Sequence, residues 1–270
     1  MPSPPFLNLA SISRALGSQA CRFDVDLVER CDSTNAVLLA RAEAGAPSGT
    51  VVIAATQTAG RGRRGRHWIS APGDSLTFSL FWRFAAGTAP AGLSLAVGLA
   101  VAKALEKVGA GGTASSRHAA SMGTALKWPN DLLLEGKKLG GILVELLPGA
   151  PHAAVIGIGL NLRLPAALPD ELRAQSAALN GGQDPDILLA TTLIELLAVM
   201  ETFAVTGFTG LRDAWSARHA FENAPVRLLS DFAPPREGVC RGVDVDGALL
   251  LEAEGRIERV ISGEVSLRGK

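Results

Sequence analysis

Apolar and polar positions alternate from Phe23 to Cys31, the mark of a strand with two unlike faces. A polar tetrad, Asp32-Ser33-Thr34-Asn35, then precedes the periodic apolar positions Val37, Leu38, Leu39 and Ala40, which stop at Gly45-Ala46-Pro47. That combination predicts a short helix with marked ends. Thr50 to Thr56 is a β-branched run suited to a buried strand, and Asp74 to Phe84 alternates again. Ala91 to Gly109 is Ala/Leu-rich and helical, whereas Ile142 to Leu146 and Ala153 to Leu164 read as core strands. Helical periodicity returns over Asp186 to Phe203 and Phe208 to His219. From Glu222 the character changes to short alternating segments: Val226 to Leu229, Gly238 to Val245, Ala248 to Glu252 and Ile257 to Ile261. With Asp246-Gly247 as a hairpin turn, these predict a small antiparallel barrel of about 50 residues.

The pattern divides the chain into a loosely structured Pro/Ser/Ala-rich lead-in (1–22), a large domain (23–221) and a small one (222–270). Ala110 to Thr124 is low in complexity and reads as a loop or insertion, with no function attached to His118. A hydrophobic fraction of 47% against 19% charged residues describes a globular protein with a sizeable core. Lys+Arg 26 balances Asp+Glu 26, so any basic cluster is a local device rather than a general affinity for nucleic acid. No apolar run is expected to cross a bilayer, and Met1-Pro2-Ser3-Pro4-Pro5 lacks the pattern of a secretory signal. Cys21, Cys31 and Cys240 show no C-x-x-C spacing and read as reduced thiols of a cytoplasmic protein.

Chemistry concentrates in Gln57-Thr58-Ala59-Gly60-Arg61-Gly62-Arg63-Arg64-Gly65-Arg66-His67-Trp68. Glycines uncover backbone amides and the arginines add permanent charged forks, which together suit phosphate and carboxylate oxygens. Gly60, Gly62 and Gly65 match G-x-G-x-x-G literally. That fingerprint requires a helix at the third glycine, and Trp68 to Asp74 is turn-rich instead. A solvated Arg-Gly surface segment is the plain alternative. Asp32 or Ser33 would serve as a helix cap, yet four small polar side chains would equally suit a binding floor. Lys127-Trp128-Pro129-Asn130-Asp131 makes a corner with a cation, an amide and a carboxylate, and Lys138 stands before Gly140-Gly141 at the mouth of a strand. A hairpin with solvated lysines would explain the same residues. Gly157 and Gly159 belong by default to a core strand, with Asn161 as its one polar recognition group.

In order, DSTN, QTAGRGRRGRHW, KWPNDL, KLGGILVE, GIGLN and GEVSLR resemble the biotin–protein ligases, over roughly residues 24 to 270. The resemblance implies an α+β fold: a class II aminoacyl-tRNA synthetase-like catalytic domain with a mixed sheet, then an SH3-like C-terminal barrel. It implies ATP and Mg2+ as cofactors, biotinyl-5′-AMP as intermediate, and transfer to a lysine of the biotin carboxyl carrier protein of acetyl-CoA carboxylase. By resemblance, Ser33, Thr34, Asn35 and Gln57 bind the ureido ring, and Arg61, Gly62 and Arg63 line the biotin and adenylate site. Gly60, Arg64, Arg66, Trp68, Asn130 and Asn161 serve ATP or the adenylate, with Trp68 stacked on adenine. Lys138 holds the reacting carboxylate and, with Arg63 and Lys127, forms the catalytic set, while Asp131 is the expected magnesium ligand. About 22 residues ahead of the catalytic core are too few for a helix-turn-helix, so neither DNA binding nor repression is expected. Monomer and homodimer both stay open. A lipoate ligase is the nearest rival, and non-catalytic biotin sequestration or nucleic-acid binding the rivals of another class. Aromatic content of 5% speaks against the last.

Overall fold

The computed structural model describes residues 7–109, 123–230, 233–261 and 265–269. Among these, the strands form two sheets. The larger runs in the order β1-β2-β3-β7-β6-β5-β4, comprising β1 (Asp24–Cys31), β2 (Thr50–Gln57), β3 (Ser75–Arg83), β4 (Thr124–Lys127), β5 (Asp131–Leu134), β6 (Lys137–Leu147) and β7 (Ala150–Asn161). β1 and β2 are parallel, joined across α2 (Thr34–Glu43), and the remaining neighbours are antiparallel. Both faces are covered, which is why β2 reads as a continuous apolar run. Val51 and Ile53 enter the main core, while Val52 meets Leu38 and Ala42 of α2 on the other side.

The main core lies under α3 (Leu93–Lys107) and α5 (Pro185–Thr206). Proline at the first turn of α5 and Asp184, which accepts from the Asp186 N–H, fix its start. By length and composition α5 could span a bilayer, contrary to the sequence expectation, but most of its apolar stretch is buried inside the protein. It is a core helix, apolar all round because α1 and α3 pack against it.

The expectation of a loosely structured lead-in fails over 7–22. Leu9–Leu16 is α1, capped by Asn8, and Leu7, Ile12 and Leu16 are buried in the main core. Asn8 also donates its backbone N–H to Asp186 at the head of α5. The helix expected over Phe208 to His219 shortens to α6 (Arg212–Ser216) behind a 3-10 turn, because Gly207 and Gly210 interrupt it. Of the expected loop at 110–124, residues 110–122 lie outside the described residues and Thr124 opens β4.

The smaller, antiparallel sheet has the order β11-β10-β9-β8-β12, from β8 (Pro225–Ser230), β9 (Arg236–Val243), β10 (Leu249–Ala253), β11 (Arg256–Val260) and β12 (Val265–Gly269). The turn at Asp246-Gly247 is present, with Gly247 at φ 83°. The two sheets share one apolar core: Val226, Leu228, Leu249 and Leu251 join the same cluster as Leu93, Phe208 and Trp215. Trp128 seals the junction by donating Nε1–H to the Gly247 carbonyl at 3.0 Å.

Candidate active site

Strand ends, the arginine loop and the C-terminal sheet enclose a cavity of about 550 Å3. Its polar floor is built where α2 begins against β2 and β3. Ser33 holds the N-cap position but makes no side-chain cap bond among the described residues, and the Asp32 carboxylate accepts from the Ser33 N–H. Gln57 takes over instead: its Oε1 accepts from the Thr34 N–H at 2.7 Å and lies 3.1 Å from Thr34 Oγ1. The Ser79 hydroxyl stands 2.7 Å from Thr34 Oγ1 and 2.6 Å from Asn35 Oδ1. Asn35 spends its amide hydrogens on Glu145 Oε2 (2.7 Å) and the Leu143 carbonyl (3.2 Å). Ser33, Thr34 and Asn35 are all buried.

The glycines of β7 serve this packing. A Cβ on Gly157 would fall 2.2 Å from Asn35 Oδ1, and one on Gly159 would fall 2.5 Å from the Trp68 ring. Trp68 thus lies on Gly159, with its indole N–H buried and unpartnered among the described residues, as is the hydroxyl of Thr77.

The arginine loop is a closed miniature hairpin. Arg61 bridges His67, the Gly62 N–H donates to the Arg66 carbonyl at 2.7 Å, and the Trp68 N–H to the Gly60 carbonyl at 2.9 Å. Arg63–Gly65 forms a 3-10 turn in which Arg64 adopts φ 59°, a left-handed conformation costing about 1 kcal/mol. Arg63 donates to Asn130 Oδ1 at 3.2 Å, and Asn130 donates to the Ile142 carbonyl. Arg61 turns to Glu145, at 3.0 Å.

Across the cavity, the β4–β5 register sets Lys127 opposite Asp131. The two oxygens of Asp131 take one lysine each, Lys127 at 2.9 Å and Lys138 at 2.6 Å. Burial pushes the Asp131 carboxyl up, but Lys138 and then Lys127 outweigh it and hold it down at about 2. Burial lowers Lys127 below the ordinary lysine value, and Asp131 offsets this only in part. Asp131, the residue expected at the magnesium, thus stands as the shared counter-ion of Lys127 and Lys138. Among the described residues no three His, Cys, Asp or Glu side chains gather to hold a metal. Asn161 donates to the Ala177 carbonyl at 3.0 Å, so its amide braces the wall formed by the segment after α4 (Asp170–Gln175). The three cysteines form no disulfide, and burial, then Asp32, raises Cys31.

The cavity thus gathers Ser33, Thr34, Asn35, Gln57, Gly62 and Trp68 with Arg61, Arg63, Arg64, Arg66, Lys127, Asn130, Asp131, Lys138 and Asn161. Gly60 stands behind it, against Trp68 and Gln57. Sequence reasoning missed Thr77, Ser79, Glu145, Phe221 and Arg268. Glu145 and Arg268 sat inside the quoted KLGGILVE and GEVSLR segments, and the period-two hydroxyls of Ser75, Thr77 and Ser79 were a signal for a polar strand face.

Residues 27–161 match the Biotin/lipoate A/B protein ligase family, and residues 223–268 match the Biotin protein ligase C terminal domain. The bifunctional ligase/repressor BirA of Escherichia coli is 40% identical over 247 residues, covering 88% of this chain and 72% of that protein. The biotin--[acetyl-CoA-carboxylase] ligase of Paracoccus denitrificans is 34% identical over 263 residues, covering 90% and 100%. Among solved structures, the biotin protein ligase from Aquifex aeolicus in complex with biotin and ATP superposes with a TM-score of 0.76 at 27% identity, covering 92% of this chain and 99% of that one. A cavity with a hydroxyl and amide floor at one end and paired cations at the other, on a chain matched across both its sheets, leaves one assignment: the chain belongs to the biotin protein ligase family.

Proposed function

We propose that this ligase condenses biotin with ATP to biotinyl-5′-AMP and pyrophosphate, then passes the biotinyl group to one lysine of a biotin carboxyl carrier protein. The observation that supports this best is the union, in one cavity, of the Ser33–Thr34–Gln57 floor with Arg63, Arg64, Arg66, Lys127, Lys138 and Arg268. Biotin's ureido ring is small and polar and must have its donors and acceptors met when buried, which the floor can do. The first step joins two anions, a carboxylate and a triphosphate. A carboxylate oxygen attacks the α-phosphorus, and the bond to pyrophosphate breaks. Preorganised cations lower the repulsion between the reactants and stabilise charge developing on the leaving group. In the second step the carrier's amine attacks the acyl carbon and AMP leaves with the bonding electrons, while the amine gives up a proton.

Within this reading Lys138 grips the reacting carboxylate, and Arg63, steadied by Asn130, faces the phosphate side. Trp68, at the end of the loop, would stack on adenine. Magnesium enters as part of the substrate MgATP, because Mg2+ typically keeps several waters and binds through substrate phosphates rather than an all-protein cage. Three cysteines without a disulfide suit the reducing cytoplasm.

Pyrophosphate release with MgATP, measured in parallel with biotin and with lipoate, tests the proposal. Release with biotin alone is expected. Release with lipoate alone would move the chain to the lipoate branch, and silence with both would leave a sequestering protein.

A further inference from the structure

Glu145 carries a role that no motif residue explains. It stands near the end of β6, behind the wall that Leu143, Asn35 and Arg61 present to the cavity. A single oxygen, Oε2, accepts from Asn35 Nδ2 at 2.7 Å and from Arg61 Nη2 at 3.0 Å. That atom therefore joins three elements: β6, the first turn of α2 and the base of the arginine loop. We propose that Glu145 is the positioning residue that pre-organises the biotin end of the cavity, a role that rests on the ligase reading above.

Two arms follow from the geometry. On one, Asn35 is buried and its carboxamide sits between Ser79, Leu143 and Glu145, against a glycine with no room for a Cβ. Losing the carboxylate would leave an amide hydrogen without its acceptor and free the ring of contacts that also orients Thr34. On the other, Arg61 is one of four arginines within six residues. Like charges at that spacing repel, and pairing one of them with a carboxylate outside the loop removes it from that repulsion. Arg61 also closes the hairpin through its bridge to His67, so anchoring its guanidinium anchors the loop. An exposed ion pair alone would matter little. This pair differs because the same oxygen holds a buried amide, and the Glu145 side chain is only 26% exposed.

The experiment uses the full chain and the variants Glu145→Gln, Glu145→Ala and Arg61→Met. Biotin affinity is measured without ATP, ATP KM from biotin-dependent pyrophosphate exchange, and each variant's melting is recorded. Glu145→Gln keeps an acceptor for Asn35 but loses the charge, and should weaken biotin about fivefold. Glu145→Ala breaks both arms and should weaken it roughly twentyfold. ATP KM should stay within about twofold in both, a split that general structural damage would not produce. Arg61→Met combined with Glu145→Gln should be weaker by less than the product of the single effects, since the two share one contact. Biotin affinity unchanged in both Glu145 variants, equal losses for biotin and ATP, or strictly multiplicative effects would each overturn the assignment. If Glu145→Ala fails to fold, Glu145→Gln decides alone. Wild-type protein without biotin-dependent exchange would instead sink the ligase reading, and the positioning role with it.

Discussion

At the scale of single residues, Asp131 governs the cationic half of the cavity. Lys127 is nearly buried and Lys138 more than a third exposed, yet both point at the same carboxylate. Without it two ammonium groups would face each other in a low-dielectric wall, and Lys127, already lowered by burial, would surrender its proton more readily. Asp131→Asn should therefore cost about 3 kcal/mol, since removing one partner strands a buried charge; urea unfolding measures it, and a loss below roughly 1 kcal/mol would contradict the account. The sign with pH follows from the depressed carboxyl. Its folded value of about 2 lies below the ordinary 3.8, so the ion pair's contribution is present above 3.8 and fades as pH falls towards 2. The difference corresponds to roughly 2 kcal/mol, and Asp131→Asn should flatten the acid limb of the stability curve. Lys138→Met removes the exposed cation and keeps much of its stem packing. Pyrophosphate release should fall about a hundredfold, with a stability loss smaller than that of Asp131→Asn because Lys127 still pairs the carboxylate, and near-normal release would exclude Lys138 from the chemistry.

At the scale of elements, the floor depends on β7 offering no side chain where α2 and the loop press on it. Gly157→Ala forces a methyl to 2.2 Å from Asn35 Oδ1, so either the amide moves or the strand does. A stability loss of about 2 kcal/mol with weakened biotin binding is expected, and calorimetric melting with biotin titration measures both. A variant binding biotin normally would show that Asn35 is dispensable. This close approach was not legible in GIGLN, because the partner of Gly157 lies in α2, far away in sequence. The β2, β3 and α2 patterns were readable because burial on each face imprints a period on neighbouring residues. The lead-in was misread for the opposite reason: Leu7, Ile12 and Leu16 are sparse among Ser and Ala, and their partner α5 lies some 170 residues on. Ile12→Ala should cost about 3 kcal/mol, which a detached segment could not lose. The site was legible where chemistry concentrates in adjacent residues, as in the arginine loop. It was illegible where one residue from each of several strands converges, as at Ser79, Glu145 and Arg268.

At the scale of the whole molecule, the C-terminal sheet is part of the catalytic unit rather than an appendage. Leu249 and Leu251 share a core with Leu93 and Trp215, and a Cβ on Gly92 would strike Phe208 and approach the Asp246 carbonyl. Arg218, just ahead of this sheet, grips Glu106 of α3 with two nitrogens at 2.7 and 2.8 Å, and its carbonyl accepts from the Leu126 N–H beside Lys127. The segment leading into the sheet thus holds the strand that carries Lys127. β12 adds a direct contribution, since Arg268 lines the cavity and stands close enough to help lower Lys127. Under the proposed function, a positive charge beside Lys127 would serve ATP rather than biotin. Arg268→Ala should raise ATP KM about tenfold and leave biotin affinity in the absence of ATP within roughly twofold, because only the phosphate end loses a charge. Equal losses for both ligands would mean that Arg268 acts by holding the two sheets together. An unchanged ATP KM would return the small sheet to a purely structural part.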